Sequence, residues 1–494
     1  METLVQIAKI FVTAIYLIAF VFLCLFGLYR YYLAYVFNKY KKRVPEPMSR
    51  FEELPTVTIH LPIYNEMYVV RRLISYVCDI DYPKELLEIH VLDDSTDETS
   101  QIAEECVNSY RAQGFQIHYI HREKRRGFKA GALEEGLKSA KGDLIAIFDA
   151  DFMPSKDFLQ NTVHFFTDPN IGMVQVRWGH VNRDYSTLTK AQSILLDGHF
   201  VIEQAARFYN GKFFNFNGTA GVLRKECIES AGGWQHDTLT EDMDLSYRAQ
   251  LKGWKFIYLK DTAVDAELPV DMNAFKSQQY RWAKGAIQTA KKHLLKILRA
   301  KELPLGIKVE AAFHLLGNLC YLFLVILLIL MLPIAYLWRS IGWENAVLLN
   351  LVAISAGTVS VIRFYIVTIK EIHKKRWKKY LKFIPLAIAL GTGIAISNSK
   401  AVLEAIFGKQ SEFKRTPKFA VTSRRDKWRT RKYATRREMT TFLELGVGLF
   451  FVSQTLYAFL VGYIEWIPFL VIIQFGFLYT SILSIFHSLR RRTV

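Results

Sequence analysis

The sequence predicts an α/β domain, built on a mainly parallel, doubly wound sheet, that is joined to an α-helical membrane region. Short apolar runs between residues 55 and 270 alternate with helical stretches, which is typical of strands joined by crossover helices. Apolar runs of the length of a membrane span lie on both sides of that region. Of the 494 residues, 51% are hydrophobic and 22% are charged, which suits a soluble domain combined with membrane segments.

Five short apolar runs are predicted to be strands: Val57 to Leu61, Ile89 to Leu92, Ile117 to Ile120, Leu144 to Phe148 and Met173 to Val176. Helical patterns, such as those at Asp97 to Ala112 and Phe128 to Ala140, separate several of these runs. Doubly wound sheets bind their ligands at the carboxyl ends of the strands. We therefore expect the functional residues to follow the strands directly.

Five membrane spans are predicted: Ile10 to Leu28, Leu319 to Trp338, Ala346 to Ile369, Thr441 to Val461 and Trp466 to Phe486. A further apolar run, from Phe383 to Ile396, is shorter and contains Pro385 and two glycines. We therefore predict that residues 383–400 form a re-entrant or interfacial segment. The positive-inside bias then places the N-terminus outside and both the α/β domain and the C-terminus in the cytosol.

These features divide the chain into four parts. Residues 1–45 hold the first span and its basic flank, residues 46–270 the cytosolic α/β domain, and residues 271–310 interfacial amphipathic helices. Residues 311–494 hold the other spans together with the basic loop, residues 409–440, in which twelve Lys or Arg face three Asp or Glu. The expected location is an integral membrane protein, in the plasma membrane if the source is prokaryotic.

The net charge of +18 raises the question of nucleic-acid binding. Most of the basic residues lie beside apolar runs, where the positive-inside bias and anionic lipid headgroups account for them. We therefore predict the lipid bilayer as a partner and no nucleic acid. The five cysteines show no metal-ligand or redox spacing, which argues against a disulfide scaffold and fits a reduced cytosolic face.

Asp149 and Asp151 follow the predicted fourth strand. Two carboxylates one residue apart at the end of a strand can hold Mg²⁺ or Mn²⁺, and the ion in turn binds a diphosphate. An isolated Asp-x-Asp pair is often only a helix cap. Its place after a buried strand favours the metal site.

Polar residues also follow the first two strands. Asp93 and Asp94 come at the end of the second strand, where acids can contact the base or ribose of a nucleotide or simply start a helix. Tyr64 and Glu66 follow the first strand. Lys129 opens a helix, where a cation and the helix dipole both suit phosphate, although a solvated charge is the simpler explanation.

Two motifs lie further along the chain. Glu241 and Asp242 could include the base that takes a proton from an acceptor hydroxyl, or could only mark an acidic helix start. Gln278, Arg281 and Trp282 offer an amide, a phosphate-binding guanidinium and a ring that stacks on sugars. An interfacial amphipathic helix would carry similar residues, and both roles can hold together.

These motifs, in this order, resemble those of the processive family 2 glycosyltransferases, a group that includes cellulose, chitin, hyaluronan and mannan synthases. The resemblance covers about residues 55–285. Within the cellulose synthase-like superfamily, four sequence segments are most similar to those of the mannan and glucan synthase-like branch: residues 90–97, 216–221, 267–269 and 278–279. Residues 412–418 resemble the gating loop of bacterial cellulose synthase, whereas residues 283–285 depart from the plant pattern.

The resemblance implies a GT-A fold, a nucleotide-sugar donor and a growing glycan as acceptor. Asp242, next to Glu241, would be the general base, and Asp149 and Asp151 would hold Mg²⁺ or Mn²⁺. The implied donor contacts are Tyr64, Glu66, Asp93, Asp94, Lys129, Asp149 and Arg281. The implied acceptor contacts are Phe216, Gly218, Thr219, Gln278 and Trp282.

A single aspartate as base, with no second carboxylate identified as nucleophile, favours direct displacement with inversion. We therefore expect a β-linked polymer, most simply β-1,4, made from GDP-mannose or UDP-glucose and passed across the membrane. The alternatives are transfer of one sugar to a lipid such as ceramide or diacylglycerol, a hyaluronan- or chitin-type synthase using UDP-GlcNAc, and a non-catalytic scaffold. The sequence does not indicate an oligomeric state.

Overall fold

The computed structural model describes residues 2–340, 355–433, 435, 437–462, 464 and 467–489. A seven-stranded sheet, in the order β3-β2-β1-β4-β6-β5-β7, forms the centre of the α/β domain. Its strands are β1 (Val57–Ile63), β2 (Leu87–Asp93), β3 (Gln116–His121), β4 (Leu144–Ile147), β5 (Ile171–His180), β6 (Gly221–Arg224) and β7 (Lys255–Ala266). The five strands predicted from apolar runs are confirmed, and the sheet has two more.

The pairing of the strands places the loops that carry the predicted site residues on one side of the sheet, at the carboxyl ends of its parallel strands. Strands β3, β2, β1 and β4 are mutually parallel, and β5 pairs in parallel with β7. Strand β6 lies antiparallel between β4 and β5, so the mainly parallel prediction holds with one exception. Consequently the segments after β1, β2, β4, β5 and β7, and the segment before β6, all meet at the same edge.

Helices cover both faces of the sheet, as expected for a doubly wound domain. The helices of the α/β domain are α1 (Glu2–Tyr40, through its C-terminal end), α2 (Val70–Cys78), α3 (Thr99–Ala112), α4 (Phe128–Ser139), α5 (Thr187–Asp197), α6 (Ala205–Tyr209), α7 (Lys225–Ser230) and α8 (Glu241–Leu251). A π-helical stretch at Gly198–Gln204 joins α5 to α6. Helices α2 and α3 pack on one face, whereas α4 and the end of α1 pack on the other.

The C-terminal half is helical: α9 (Met272–Arg299), α10 (Leu305–Leu316), α11 (Leu319–Ser340), α12 (Ser360–His373), α13 (Ile384–Gly393), α14 (Ala395–Ile406), α15 (Thr440–Val461) and α16 (Ile467–Leu489). By length and composition, three described helices could cross a membrane: α1, α15 and α16. Two bent pairs, α10 with α11 at 60° and residues 356–393 with α14 at 42°, would raise the number to five. Part of the predicted span Ala346 to Ile369 lies outside the described residues.

The short apolar run at residues 383–400 forms α13 and the first turns of α14. It packs against α16 and α5 rather than standing alone. The break between α13 and α14 belongs to the bent pair described above, and such a bend fits either a broken span or a re-entrant segment. The re-entrant arrangement and the domain boundaries therefore stay predictions.

Candidate active site

A cavity of about 190 Å³ opens at the edge of the sheet where the strand ends meet. Its wall is built by the end of β5 and by the segments that follow β1, β2, β4 and β7 and precede β6. The starts of α4 and α8, helix α9 and the basic loop complete it. The predicted site residues that line it are Tyr64, Glu66, Asp94, Lys129, Asp149, Asp151, Gly218, Glu241, Asp242, Gln278, Arg281 and Trp282. The fold therefore brings together residues more than 200 positions apart in the sequence.

Asp93, Phe216 and Thr219 do not line the cavity. Asp93 is fully buried, and its carboxylate accepts hydrogen bonds from Ser95 N–H, the hydroxyls of Ser100 and Tyr119, and the ring of His121. These bonds outweigh the effect of burial and lower the pKa of Asp93, so the ionised carboxylate holds the turn after β2 in place. The predicted donor contact of Asp93 stays a prediction.

Phe216 and Thr219 are buried behind the wall of the cavity, with 1% and 0% of their surface exposed. Phe216 belongs to the apolar core under α4, and the Thr219 hydroxyl accepts a hydrogen bond of 2.9 Å from Asp149 N–H. Neither side chain offers surface to an acceptor. The predicted acceptor contacts of these two residues stay predictions, and the residues of this loop that line the cavity are Asn217 and Gly218.

Asp149 and Asp151 lie at the end of β4, and each is held by a lysine. The Lys129 ammonium lies 2.5 Å from Asp149 Oδ1 and also donates to the Gly218 carbonyl at 2.9 Å. The Lys418 ammonium lies 2.7 Å from Asp151 Oδ2, which also accepts a hydrogen bond from Glu267 N–H. The two lysines thus partly neutralise this pair of carboxylates.

The donor atoms at this pair suit a hard divalent cation. Carboxylate oxygens are the ligands that Mg²⁺ and Mn²⁺ prefer, and such ions are commonly bound by one or two carboxylates together with substrate phosphates. In the part of the chain that the structure describes, no third His, Cys, Asp or Glu completes a three-ligand cluster with these two residues. Asp149 and Asp151 therefore fit a metal site that substrate oxygens and water would complete, with Lys418 as a competing cation.

Glu241 and Asp242 begin α8 and line the cavity, Glu241 as a buried and Asp242 as a half-buried side chain. Burial, together with the charge of neighbouring Glu241, raises the pKa of Asp242 to about 7. Burial also raises the pKa of Glu241, although Lys129, 4.0 Å from Glu241 Oε1, opposes the shift. Asp242 Oδ1 accepts a hydrogen bond of 2.8 Å from Met243 N–H, which orients the carboxylate. A pKa near 7 suits a carboxylate that accepts a proton at neutral pH.

Gly218 brings the backbone close to this carboxylate. Its φ of +79° is in the region that side chains disfavour, and an added Cβ would lie 3.0 Å from Asp242 Oδ2 and 3.3 Å from the Lys129 ammonium. A glycine is therefore required both by the turn and by the packing. The same turn presents the Gly218 carbonyl to Lys129.

Helix α9 supplies three predicted residues from one of its faces, because positions i, i+3 and i+4 lie together on a helix. Gln278, Arg281 and Trp282 all line the cavity. Burial lowers the pKa of Arg281 to about 10, and the carboxylates of Glu241 and Asp149 oppose that shift, so the guanidinium stays charged at neutral pH. The Trp282 ring lies 6.4 Å from that of Trp178, and the two form an aromatic corner.

The basic loop closes one side of the cavity with Phe413, Arg415, Thr416 and Lys418. The Thr416 hydroxyl accepts a hydrogen bond of 2.8 Å from Arg281, whose guanidinium also lies over the Phe413 ring at 4.5 Å. Arg415 lies 3.0 Å from the Glu66 carboxylate. Burial raises the pKa of Glu66 to about 8 despite Arg415.

Glu267 fastens this part of the basic loop to the end of β7. Its carboxylate accepts hydrogen bonds from Phe419 N–H at 2.9 Å and Val421 N–H at 3.2 Å, and its carbonyl accepts one from Lys418. Burial raises the pKa of Glu267 to about 7. A second attachment joins the Tyr433 hydroxyl to Asp97, at 2.6 Å. The loop is thus bound to both ends of the cavity wall.

Several residues of the site gave no clear signal in the sequence. Trp178 and His180 lie on β5, where an aromatic residue is usually part of the core, yet both line the cavity. Arg125 stacks its guanidinium 3.5 Å from the centre of the Tyr64 ring. The run of basic residues before α4 was visible in the sequence, but only the fold shows that one of them reaches the cavity.

The fold is similar to that of a solved structure whose bound ligands are known. It superposes with a TM-score of 0.53 on a mannosyltransferase from Pyrobaculum calidifontis in complex with GDP-Man and Mn²⁺, at 19% identity, covering 81% of this chain and 99% of that chain. Together with the sheet and the carboxylates at its edge, this likeness defines the α/β domain as a GT-A fold.

The sequence comparisons assign the domain to its family. Residues 55–285 match the family described as "Glycosyltransferase like family 2" and form a domain of that family. Glucomannan 4-beta-mannosyltransferase 2 of Arabidopsis thaliana is 43% identical over 278 residues, which is 54% of this chain and 52% of the relative. A probable glucomannan 4-beta-mannosyltransferase 10 of the same plant is 35% identical over 358 residues, 68% and 65% respectively. The chain spans about half the length of most of the curated relatives it matches.

Proposed function

We propose that this chain is a membrane-embedded, inverting hexosyltransferase that polymerises a β-1,4-linked glycan from GDP-mannose or UDP-glucose. One observation carries the proposal: a carboxylate with a pKa near 7, Asp242, shares a cavity with the paired acids Asp149 and Asp151. A base and a diphosphate-binding site side by side are what the transfer of a sugar from a nucleotide donor requires.

In the proposed reaction, Asp242 accepts the proton of the acceptor hydroxyl as its oxygen bonds to the anomeric carbon of the donor sugar. The bond from that carbon to the diphosphate breaks on the opposite face, so the configuration inverts. An α-linked donor then gives a β-linked product. Because the Met243 N–H holds one oxygen of Asp242, the other is directed to the side of Gly218, where the acceptor would approach.

The leaving diphosphate needs positive charge close to it. Arg281 and Lys129 face the cavity from α9 and α4, and both are charged at neutral pH. A divalent cation bound at Asp149 and Asp151 would add to this by neutralising phosphate charge. The solved neighbour is in complex with GDP-Man and Mn²⁺, which supports Mn²⁺ or Mg²⁺ and a sugar nucleotide here.

The acceptor end of the growing glycan is assigned to the aromatic corner of Trp178 and Trp282. Sugar rings stack on indole faces, and Gln278 on the same face of α9 offers an amide to a hydroxyl. The glycan would then leave through the adjacent membrane helices. The names of the curated relatives, glucomannan 4-beta-mannosyltransferases, support a β-1,4 product.

The cavity of about 190 Å³ is smaller than the roughly 300–1,000 Å³ of typical ligand sites. Since four residues of the basic loop form part of its wall, we propose that this loop moves aside when the donor enters. Lys418 would then leave Asp151, and the carboxylate would become available to the metal. The resemblance of residues 412–418 to a gating loop supports this step.

The product is tested by linkage analysis of polymer made by purified protein from each sugar nucleotide. We expect a β-1,4-linked chain that β-1,4-mannanase or cellulase digests. A polymer resistant to both enzymes would point to the hyaluronan- or chitin-type alternative. A single sugar on a lipid would replace the polymer proposal with transfer to a lipid acceptor.

We expect kcat/KM to fall as the pH drops below about 7, because a protonated Asp242 cannot take the acceptor proton. The sign follows from the raised pKa, since the active, ionised form dominates only above it. The measurement is the rate of nucleoside diphosphate release at low donor concentration across that pH range. A profile that stays flat through pH 7, or one that rises towards acid, would place the base elsewhere.

The orientation proposed is a cytosolic α/β domain with the N-terminus outside. A cysteine introduced at the exposed position Ser411 of the basic loop should be labelled by an impermeant maleimide only in inverted vesicles. A Thr3→Cys variant should give the opposite pattern and serves as the control. Labelling of the Ser411→Cys variant from outside intact cells would make residues 383–400 part of a full span.

A further inference from the structure

A second group of potential metal ligands lies within the sheet, on β2 and β3, before the carboxyl ends of these strands. It consists of Glu88 and His90 on β2 and His118 on β3. One ligand atom from each side chain lies within 4.8 Å of the other two. Among the described residues, this is the one group of three or more His, Cys, Asp or Glu that meets this condition.

The register of the sheet creates this group. His90 pairs directly with His118 across the parallel strands β2 and β3, so their side chains share a face. Glu88 lies two residues before His90 and therefore points to the same face. The same two strands end at Asp93 and His121, three residues after His90 and His118. The group therefore lies before the carboxyl ends of the strands, where the cavity is.

Each histidine lies close to one oxygen of the Glu88 carboxylate. His90 Nε2 lies 3.3 Å from Glu88 Oε2, and His118 Nε2 lies 3.4 Å from Glu88 Oε1. Zinc binds nitrogen and oxygen at about 2.0–2.2 Å, which in a tetrahedron separates neighbouring ligand atoms by about 3.3–3.6 Å. Each of the two nitrogen–oxygen separations falls in this range, and the two nitrogens face different oxygens of the one carboxylate.

The carboxylate of the group is fixed by its own partners. Glu88 Oε2 accepts hydrogen bonds from the Thr58 hydroxyl at 2.8 Å and from Lys141 N–H at 3.0 Å. Such partners orient metal-binding carboxylates, and here they leave Oε1 facing His118.

The group is open on one side only. Glu88 and His90 are buried, whereas the His118 side chain is 47% exposed on the edge strand β3. An ion could enter from that edge, and a water molecule could complete its coordination. Two histidines and one carboxylate favour zinc-class transition metals over Mg²⁺ or Mn²⁺, which prefer all-oxygen sites.

We propose that Glu88, His90 and His118 bind a zinc-class transition-metal ion that joins β2 to the edge strand β3. This site is separate from the carboxylate pair at Asp149 and Asp151 and does not depend on the proposed transferase activity. The ion would stiffen the two strands that lead into Asp93 and His121, whose side chains lie 3.0 Å apart.

Cobalt(II) tests the site, because in tetrahedral coordination it absorbs visible light far more strongly than in octahedral oxygen sites. The full-length protein in detergent is freed of metal and titrated with Co²⁺. We expect an intense visible band that saturates at one Co²⁺ per chain and disappears on addition of Zn²⁺. Failure of the wild-type protein to develop this band would overturn the proposal.

The variants identify the ligands. We expect His118→Ala and Glu88→Gln to bind Co²⁺ at least about 10-fold more weakly and to lose the intense band. His164→Ala is the control, because His164 lies elsewhere in the domain, where it accepts a hydrogen bond from Phe51 N–H. This variant should keep the intense visible band. A circular dichroism spectrum and a thermal unfolding midpoint close to those of the wild-type protein show that His118→Ala is folded. A band of unchanged strength in folded His118→Ala would sink the assignment.

Discussion

Asp242→Asn should abolish sugar transfer, with a loss of about 10²- to 10⁴-fold or more in kcat, because the amide cannot accept the acceptor proton. Donor binding should change little, since the side chain keeps its size and Asp149 and Asp151 remain in place. The measurement pairs nucleoside diphosphate release in the presence of acceptor with calorimetric binding of the donor.

Asp237→Asn is the matched control for this substitution. Asp237 lies five residues earlier, is largely exposed and forms an ion pair with Lys292, so the same chemical change there should leave turnover near the wild-type rate. Near-normal transfer by Asp242→Asn would show that another group is the base. Loss of donor binding together with transfer would instead indicate that the substitution disturbs the cavity as a whole.

Asp151→Asn should remove the strengthening of nucleotide binding by Mn²⁺ or Mg²⁺ and, with it, most of the transfer activity. A neutral amide is a much poorer ligand for a hard cation than a carboxylate. The affinity for nucleoside diphosphate is measured with and without the metal. The two affinities should differ in the wild-type protein and become equal in the variant.

Lys418→Ala separates loss of the metal from loss of the loop contact. It removes the 2.7 Å ion pair between Lys418 and Asp151, which Asp151→Asn also disrupts, but it leaves the Asp151 carboxylate intact. The effect of Mn²⁺ on nucleotide binding should therefore persist or increase. If Lys418→Ala lost that effect as fully as Asp151→Asn, the ion pair rather than metal coordination would explain both results. A wild-type metal effect in Asp151→Asn would also contradict the proposed role.

Much of the sheet was predictable because buried parallel strands are short, continuous apolar runs. Strands β6 and β7 were missed for different reasons. In strand β6 only Val222 and Leu223 form an apolar run, and β7 carries the polar residues Lys260, Asp261 and Asp265 among its apolar ones. What the sequence could not show is that β6 inserts antiparallel, since that depends on how the chain returns after Gly218.

The candidate site was predictable where motifs follow strand ends, as at Asp149 and Asp242. It was not predictable where the direction of a side chain decides its role. Asp93 and Asp94 are neighbours, yet Asp94 lines the cavity and Asp93 turns into the protein. Nor could the sequence show which residue of the basic loop reaches Asp151, because Lys418 approaches it from 267 positions away.

Helix α9 joins the α/β domain to the C-terminal helices through two ion pairs. Lys276 and Lys284 are buried, and their ammonium groups lie 2.6 Å from Glu444 of α15 and 2.9 Å from Glu404 of α14. A soluble fragment that stopped near residue 300 would strip both lysines of their counterions and uncover the faces that α14 and α15 occupy. Since α9 also presents Gln278, Arg281 and Trp282 to the cavity, such a fragment would lose the packing that holds this side of the cavity wall in place. Swapping this domain between related enzymes would therefore require exchanging α14 and α15 with it.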